Sequence, residues 1–406
     1  MKIAVLTTYF NPEENGLTRY INGLYGVLLE KHPEIEIDVI AFDTLKTKNY
    51  RQKTKNWTIY RIDCIPILGR TYAIPTRKGK KQLRDIFQKN SYDLINTHTR
   101  FFLTSYYGIK MGKKYGIPVI HTEHGSGFVK HNCKAVEWIA KIYDLTLGKY
   151  VLKNADLVCG VSQSACRFAK KLGAKKTGVV YNGINVKFWQ NTPSFVSPLV
   201  RGRNSGDSET VFTFVGRLIP EKGVQDLIEV LKILNTPPPR LERGYSSQEE
   251  NGIQSPLERG VSARGEDGVC EFNWKLFIIG DGFYRKELEK LVKKYQLEDK
   301  ILFLGAKNQK EVRDILKTTD LFINPSLASE GLPTTILEAA ACDCRVLSSD
   351  KGGSIEVLTK ESLYKAGDLD ALKKKILSYN KIPVPNVDKF DWKLIAEKYY
   401  RLLSTY

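Results

Sequence analysis

A loop with two cations is the first stretch of the sequence whose residue types suit binding chemistry. Arg217 and Lys222 lie between a strand-like apolar run and a helical run, and a glycine precedes the arginine and another follows the lysine. Arginine presents a planar fork of donors to phosphate oxygens, whereas lysine presents a mobile point charge. The glycines let backbone amides approach a ligand. The loop therefore predicts a diphosphate site, and the alternative is that both residues are ordinary surface cations.

Two glutamates bracket a second candidate site. The chain runs from Glu330 through Gly331, Leu332 and Pro333 into an apolar helical stretch that contains Glu338. Pro333 suits the first turn of a helix, because the N–H that proline lacks would have no partner there. A helix start favours anions, and we expect both carboxylates to face one ligand through its hydroxyl groups. The alternative is that Glu330 complements the helix dipole and Glu338 is a solvated helix residue.

Two loops in the first half of the chain follow predicted strands. Gly16 lies in a polar loop that leads into a helix at about Leu17, and His124 follows the strand-like run at 119–122. Ligands of doubly wound folds gather at the carboxyl ends of strands, so both loops are predicted to reach one cleft. His121 lies inside the strand, and it is predicted to be a buried, hydrogen-bonded histidine.

Metal ligation is not predicted. Alternation along the strand sends His121 and Glu123 to one face and His124 to the other. The seven cysteines are odd in number and show no paired spacing. Reduced structural thiols are therefore predicted, with neither a disulfide framework nor a zinc site.

The elements that would position these residues alternate between short apolar runs and amphipathic runs. This pattern is typical of strand–helix units around a parallel sheet. A chain of 406 residues exceeds one ordinary core, which predicts two α/β domains. The predicted strands lie at 3–7, 37–42, 58–62, 94–97, 119–122, 157–161, 177–181, 211–215, 275–279, 301–304, 321–326 and 345–348.

The composition places the domain boundaries. Residues 1–190 form the first predicted domain, and 191–209, rich in Ser, Pro and Gly, form a linker. The second domain is predicted at 210–385 and a C-terminal helix at 386–406. Residues 235–271 repeat the tetrapeptide Leu-Glu-Arg-Gly and bury too little apolar surface for a core element, so they are interpreted as a loosely folded surface insertion.

The net charge of +18 is concentrated in the first half, because residues 1–185 alone carry +16. Such a domain is predicted to dock on an anionic membrane surface, and the alternative is an evenly solvated surface. Nucleic-acid binding is not predicted, since no recognisable binding module accompanies the charge. Without a spanning helix or a signal peptide, the expected location is cytoplasmic, peripheral on the inner face of the membrane.

The ordered series of motifs resembles the family 4 retaining glycosyltransferases, the glycosyl transferases of group 1. The resemblance implies the α/β GT-B fold, in which two Rossmann-like domains face each other across a cleft and a C-terminal helix, here around Trp392, crosses back. The residues that carry it are Gly16, His124-Gly125, Val161-Ser162, Asn182-Gly183-Ile184, Gly216-Arg217, Lys222-Gly223, Gly280-Asp281-Gly282, Phe303-Leu304-Gly305, Asn324-Pro325-Ser326 and Glu330-Gly331-Leu332-Pro333 with Glu338.

The resemblance also implies a set of donor-binding residues. Arg217 and Lys222 would neutralise the donor diphosphate, and Glu338 would hold the ribose hydroxyls. Gly16 would approach the diphosphate from the other domain. One departure bears on this, because Asn15 precedes Gly16 where a glycine pair is common.

The sugar-facing residues implied by the resemblance include both catalytic candidates, Glu330 and His124. Glu330 would lie beside the donor sugar with the amides of Gly331 and Leu332, and His124 would contact the transferred sugar. No metal and no cofactor is implied, because two cations and a helix N-terminus would stabilise the leaving diphosphate. No side-chain base is required where the leaving phosphate takes the acceptor proton.

The function implied is transfer of a hexosyl group, with retention, from a nucleotide-diphosphate sugar. The acceptor would be a glycan or lipid-linked glycan of the cell envelope. Two alternatives stay open at this point: a nucleotide-sugar epimerase or hydrolase of the same fold, and, from another class, a basic nucleic-acid-binding protein.

Overall fold

The computed structural model of the 406-residue chain describes residues 1–12, 15–47, 50–54, 57–67, 72–129, 133–191, 209–235 and 273–405. The predicted linker at 191–209 and the predicted insertion at 235–271 lie outside these residues except at their ends. Both therefore stay predictions, as do the domain boundaries at 190 and 385.

The first half of the chain alternates strands with helices, as its hydrophobic pattern predicts. Its strands are β1 (Lys2–Thr7), β2 (Glu36–Phe42), β3 (Arg51–Lys53), β4 (Thr58–Ile62), β5 (Cys64–Ile67), β6 (Tyr72–Pro75), β7 (Leu94–His98), β8 (Val119–Glu123), β9 (Leu157–Gly160) and β10 (Thr177–Val179). Its helices are α1 (Gly16–Lys31), α2 (Arg77–Lys89), α3 (Leu103–Tyr115), α4 (Lys134–Tyr143), α5 (Lys149–Asn154), α6 (Gln163–Lys171) and α7 (Val186–Gln190). A π-helical turn, Asp144–Gly148, joins α4 to α5.

Eight of these strands form one sheet in the order β10-β9-β8-β7-β1-β2-β4-β3. Neighbouring strands are parallel except for β3 and β4. The strand order reverses at β1, which lies between β2 and β7. Ligands of doubly wound sheets bind in the crevice at such a reversal, and the Gly16 loop is the one that leaves β1 there.

The second half repeats the scheme with a smaller sheet. Its strands are β11 (Thr210–Val215), β12 (Trp274–Ile279), β13 (Ile301–Gly305), β14 (Leu321–Asn324), β15 (Arg345–Ser349) and β16 (Leu363–Tyr364), and its helices are α8 (Val224–Asn235), α9 (Arg285–Lys294), α10 (Gln309–Leu316), α11 (Thr334–Ala341), α12 (Leu369–Leu377) and α13 (Trp392–Leu403). All neighbours are parallel in the order β13-β12-β11-β14-β15-β16. This order reverses at β11, so the loop that carries Arg217 and Lys222 also leaves a reversal point.

The sequence pattern missed one supersecondary unit, the antiparallel hairpin of β5 and β6. Pro66 lies inside β5 and Pro75 ends β6, and a proline inside a short apolar run argues against a strand. The hairpin stands apart from the large sheet and packs Cys64 and Ala73 into the core beneath it. After β15 the chain forms a short 3₁₀ turn, Gly352–Glu356.

Four clusters of buried apolar side chains cover the faces of the two large sheets. The largest fully buried side chains include Tyr25, Tyr399 and Trp274. Helix α7 contributes Val186 and Trp189 to a cluster of the second sheet, although it precedes the predicted linker. The chain therefore passes into the second core before residue 190.

The C-terminal helix α13 crosses back onto the first half, as the resemblance implies. Its Tyr399 hydroxyl lies 3.1 Å from the hydroxyl of Tyr25 on α1, and both side chains are fully buried. The Trp392 ring occupies space that a side chain at Gly23 or Gly183 would need, because a Cβ built there would lie within 2.6 Å of ring atoms. The close packing of Trp392 against these two glycines therefore fixes the position of α13 on the first half.

Candidate functional site

The Gly16 loop presents the N-terminus of α1, a sixteen-residue helix. Asn15 caps this helix, because its Oδ1 accepts hydrogen bonds from the amides of Leu17 and Thr18, each at 3.0 Å. A Cβ built on Gly16 would have no neighbour within 4 Å, so this residue borders open space. Asn15 therefore has a structural reason to stand where a second glycine was expected.

His124 follows β8 and lies against aromatic rings. Its Nε2 is 3.2 Å from Nδ1 of the fully buried His98, and the Tyr20 ring stacks edge-on at 4.8 Å. Burial lowers the pKa of His124 to about 4, so its imidazole is neutral near pH 7. His121, by contrast, is fully buried and bonded through Nδ1 to Thr97 at 2.8 Å, which confirms its prediction as a core histidine.

The loop after β11 brings a cation to the glutamate stretch. Lys222 ends a 3₁₀ turn, Pro220–Lys222, and its Nζ lies 2.5 Å from Oε2 of Glu330. Gly223 has φ +70°, and a Cβ there would fall 2.0 Å from the carbonyl oxygen of Pro325. Only glycine accommodates both constraints, so this residue fixes the path that delivers Lys222.

Glu330 is held as a carboxylate. Burial alone would raise its pKa, but the charges of Lys222 and Arg217 and the hydroxyl of Ser326 together lower it. Arg217 itself is exposed, and it acts on Glu330 through its charge. Among the described residues, Glu330 Oε1 has no hydrogen-bond partner. One oxygen of this carboxylate is thus engaged by a lysine and the other is unpaired.

The two halves of the molecule touch at this glutamate. Ser126 Oγ donates to the carbonyl oxygen of Glu330 at 2.6 Å, and Gly125 pairs with Glu330 in an isolated β-bridge. A Cβ on Gly331 would lie 2.2 Å from the carbonyl oxygen of His124, so glycine permits the close approach. The structure therefore brings the His124 loop of the first half onto the predicted sugar-facing segment of the second.

The segment continues along the interface. Asn182 Nδ2 donates to the carbonyl oxygen of Leu332 at 2.6 Å. Farther on, the carboxylate of Glu356 accepts from the amides of Gln163 and Ser164 at 2.8 and 2.9 Å, which caps α6 from the opposite half. Backbone groups on both sides of the interface thus find partners across it.

Glu338 forms the second part of the site with a residue that the sequence pattern did not single out. It lies on α11 and is 4% exposed, and burial raises its pKa to about 7. Arg19 of α1 opposes this shift, with its guanidinium 3.7 Å from Glu338 Oε1. Arg19 is the first cation after Gly16 on α1, and that position could have indicated its role.

A cavity of about 480 Å³ joins these groups between α1 and α11. Its lining includes Gly16, Arg19, Gly183, Glu338 and Trp392. The structure therefore brings Gly16 and Glu338 to one space. Lys222, Glu330 and His124 form a neighbouring group that does not line this cavity.

A buried ion network behind His124 was also missed. The Arg100 guanidinium donates two bonds of 2.9 Å to Asp144 and one of 2.8 Å to Glu123, and a fourth at 3.0 Å to the carbonyl oxygen of Gly127. Burial raises the pKa of Glu123, but Arg100 and His121 outweigh it and hold that pKa at about 2. The pairing could not be found from sequence spacing, because these residues belong to three separate elements. It ties the loop after His124 to the π-helical turn.

The described residues contain no group of three or more His, Cys, Asp or Glu side chains placed to hold a metal ion. No helix in the described part of the chain is long and apolar enough to cross a membrane.

Comparisons with known proteins agree with this architecture. The model of "Glycosyltransferase Family 4" matches residues 15–188, and that of "Glycosyl transferases group 1" matches residues 270–390. A relative in Methanocaldococcus jannaschii, uncharacterized glycosyltransferase MJ1069, is 24% identical over 427 residues, covering all of this chain and 98% of the relative. A phosphatidylinositol N-acetylglucosaminyltransferase subunit of Homo sapiens is 23% identical over 412 residues, covering 98% of this chain and 74% of the relative.

Among solved structures, Anabaena Alr3699/HepE in complex with UDP-glucose superposes with a TM-score of 0.70. Its sequence identity is 19%, and the match covers 100% of both chains. At this identity the likeness concerns the fold alone. The fold is the GT-B arrangement of two parallel α/β halves that the sequence predicts.

Proposed function

Since the chain belongs to glycosyltransferase family 4, the glycosyl transferases of group 1, we propose that it transfers a hexosyl group from a nucleotide-diphosphate sugar with retention of configuration. The observation that carries the proposal is the Lys222–Glu330 pair beside Arg217, in contact with the His124 loop of the other half. Two cations suited to a diphosphate thus lie near a carboxylate suited to sugar hydroxyls, and the loop that carries the neutral His124 contacts the backbone of the same segment.

The donor lies across both halves in this proposal. Arg217 and Lys222 face its diphosphate, and the N-terminus of α1 at Gly16 approaches the same phosphates from the opposite side. Glu338 accepts from the ribose hydroxyls within the 480 Å³ cavity. The UDP-glucose complex of the similarly folded Anabaena protein supports a nucleotide-sugar donor, and we propose a uridine nucleotide as the first to test.

The chemical step needs no side-chain base. The bond from the anomeric carbon to the β-phosphate oxygen breaks, the acceptor oxygen bonds to that carbon on the same face, and the departing phosphate takes the acceptor proton. Lys222 and Arg217 stabilise the charge that develops on the diphosphate. The carboxylate of Glu330, with one oxygen unpaired, and neutral His124 orient the sugar through its hydroxyls.

We propose a glycan or a lipid-linked glycan of the cell envelope as acceptor, reached at the cytoplasmic face of the membrane. The human relative is named for transfer to phosphatidylinositol, a membrane lipid, which supports an acceptor of this class. The first half of the chain, with a charge of +16 in residues 1–185, supports an encounter with an anionic surface.

A donor panel tests the proposal. Thermal shift with UDP-, GDP- and ADP-sugars should raise the apparent stability for at least one donor, because a ligand that binds only the folded state stabilises it. NMR of the products without acceptor separates transfer from the alternatives, since an epimerase changes the sugar and a hydrolase releases it. A folded sample that binds no donor would contradict the proposal.

A further inference from the structure

Helix α4 carries its apolar stripe on the side that faces away from the protein. Its large apolar side chains, together with that of Leu145 in the π-helical turn, are between 40% and 66% exposed: Val136, Trp138, Ile139, Ile142 and Leu145. Ala140 and Asp144, which lie opposite Trp138 and Ile142 on the helix, are buried. Surface helices of globular proteins normally turn their apolar stripe inward. Helix α4 does the reverse, so its stripe is free to contact something outside the described chain.

The charged side chains around this stripe are cations. Lys134 and Lys141 are exposed on α4, whereas Glu137 is largely covered and pairs with Lys134 at 3.1 Å. Asp144 is fully buried against Arg100. A helix with tryptophan, isoleucine and leucine on one side and exposed lysines beside them is typical of helices that lie in a membrane interface.

The β5–β6 hairpin extends the apolar surface. Ile65 and Ile74 lie opposite each other in the hairpin and are 57% and 42% exposed. Tyr72 shares their face, because it pairs with Ile67, two residues from Ile65. The Tyr72 ring packs edge-on at 5.8 Å against that of Tyr143, the last residue of α4. The hairpin face and the α4 stripe are therefore neighbours.

Helix α2 adds a dense group of positive charges beside the hairpin. It begins two residues after β6 ends, and Thr76 between them caps it through Gly79. Its exposed cations are Arg77, Lys78, Lys80, Lys81, Arg84 and Lys89. Asp85 is the only acidic residue of this helix. The apolar surface thus has a strongly basic flank.

We propose that these elements form a docking face for an anionic lipid bilayer, defined by the exposed apolar side chains of α4 and the β5–β6 hairpin together with the cations of α2. The apolar side chains insert into the interfacial region, and the cations contact the anionic headgroups. A second copy of the chain fits this face poorly, because two such faces would bring α2 cations against cations.

The docking face is coupled to the candidate site. The His124 loop precedes α4 in the sequence, and Arg100 bonds to Gly127 of that loop and to Asp144 of the π-helical turn. Docking therefore holds the sugar-facing loop at a fixed place relative to the bilayer. Delivery of a lipid-linked acceptor to that loop rests on the proposed function, whereas binding to the bilayer does not.

Vesicle cosedimentation of the full chain tests the docking face. We expect binding to vesicles that contain phosphatidylglycerol, at least about tenfold weaker binding to pure phosphatidylcholine, and loss of binding at high salt. The double variant Trp138→Ser/Ile139→Ser should reduce binding by about tenfold or more, because two exposed apolar groups no longer insert. The control Phe283→Ser removes a side chain that is 72% exposed in the other half, and it should bind normally.

A second pair of variants tests the charges. Lys80→Gln/Lys81→Gln should weaken binding to anionic vesicles and flatten its salt dependence, whereas Lys286→Gln/Lys290→Gln, on exposed positions of α9, should not. Trp138→Phe should retain binding but lose most of the fluorescence quenching by brominated lipids that the native chain shows. That result would place the indole of residue 138 within the bilayer.

Three outcomes would overturn the proposal. The first is a folded native chain that binds anionic vesicles no better than neutral ones. The second is binding that the Trp138→Ser/Ile139→Ser variant leaves unchanged. The third is a native dimer that the same variant converts to a monomer without change in vesicle binding, which would assign the face to contact between copies of the chain. A donor panel that fails while vesicle binding succeeds would instead contradict only the proposed transfer reaction.

Discussion

Glu330 and Glu338 lie on either side of the same helix start, yet their environments shift their pKa values in opposite directions. Lys222 touches Glu330 at 2.5 Å and, with Arg217, lowers its pKa despite burial. Glu338 has only the half-exposed Arg19 at 3.7 Å, and burial raises its pKa to about 7. Distance to a cation, and not position in the motif, therefore decides which carboxylate stays ionised.

The largest expected effect is that of Glu330→Ala. Loss of this carboxylate removes the partner of Lys222 and the group beside the sugar, so kcat should fall by about 100-fold or more. The dissociation constant of the donor should change far less. Steady-state kinetics and donor titration measure the two effects. Glu330→Gln serves as the charge control, and a Glu330→Ala enzyme with the native kcat would refute the role given to this residue.

Glu338→Ala should mainly affect donor binding, whereas Glu330→Ala mainly affects kcat. We expect donor affinity to weaken by about tenfold, since a buried carboxylate that bonds ribose hydroxyls is lost, while kcat stays close to native. Isothermal titration with the donor measures the affinity. Glu298→Ala, at an exposed glutamate that follows α9, is the matched control and should bind normally. An equal loss of donor affinity in Glu338→Ala and in the control variant would contradict the assignment of Glu338 to the ribose.

The affinity for the donor should depend on pH through Glu338. Because the ionised form of Glu338 accepts the ribose hydroxyls, affinity should rise by several-fold, at most about tenfold, from pH 6 to pH 8 around its pKa of about 7. Glu338→Gln should abolish this rise. Donor titrations at several pH values measure it, and an identical profile in the variant would contradict the assignment.

The stability of the fold should also depend on the ionisation of Glu338, but in the opposite sense: the protonated form favours folding, whereas the ionised form favours donor binding. A raised pKa means that folded protein holds the proton more tightly than unfolded protein does. The resulting stabilisation is present below the unfolded pKa of about 4.5 and is lost as pH rises through about 7. Glu330 should behave in the reverse sense, because its lowered pKa stabilises the fold above 4.5 and that contribution is lost in acid. Urea unfolding of Glu338→Gln and Glu330→Gln across pH should separate the two slopes.

The smallest expected effect is that of Arg19→Met. Its ion pair with Glu338 is long and half-exposed, and such pairs contribute at most about 1 kcal/mol. Donor affinity should weaken by about two- to fivefold at pH 7, since the pKa of Glu338 rises further without the cation. Arg19→Lys should retain most of the affinity. An unchanged pH profile in Arg19→Met would show that the contact does not influence Glu338.

The sequence predicted most of the strands that position this site because their apolar residues form short, well-separated runs. Strand ends also located Arg217, Lys222, Gly16 and His124, since each follows such a run. The pairing of Arg19 with Glu338 could not be found from the sequence, because the two residues are more than three hundred positions apart and only the fold brings α1 close to α11. The roles of the predicted residues stay predictions until the variants are measured.

The parts that sequence patterns missed have physical reasons. Helix α4 shows helical periodicity, but periodicity cannot tell whether the apolar side faces the core or the solvent. The β5–β6 hairpin contains two prolines, and prolines in short apolar runs argue against strands in a prediction from sequence. Arg100 and Asp144 are ordinary charged residues in the sequence, and only the π-helical turn brings them into a bidentate pair.

The return of α13 to the first half has a consequence for exchanging parts between relatives. Trp392 fills the space left by Gly23 and Gly183, and Tyr399 contacts Tyr25. The C-terminal helix and the segments of the first half that it contacts must therefore come from the same parent protein. A chimera cut once, between the halves, would pair a foreign Trp392 with native glycines. Recombination that preserves this fit must replace α13 together with the segments that contain Gly23 and Gly183.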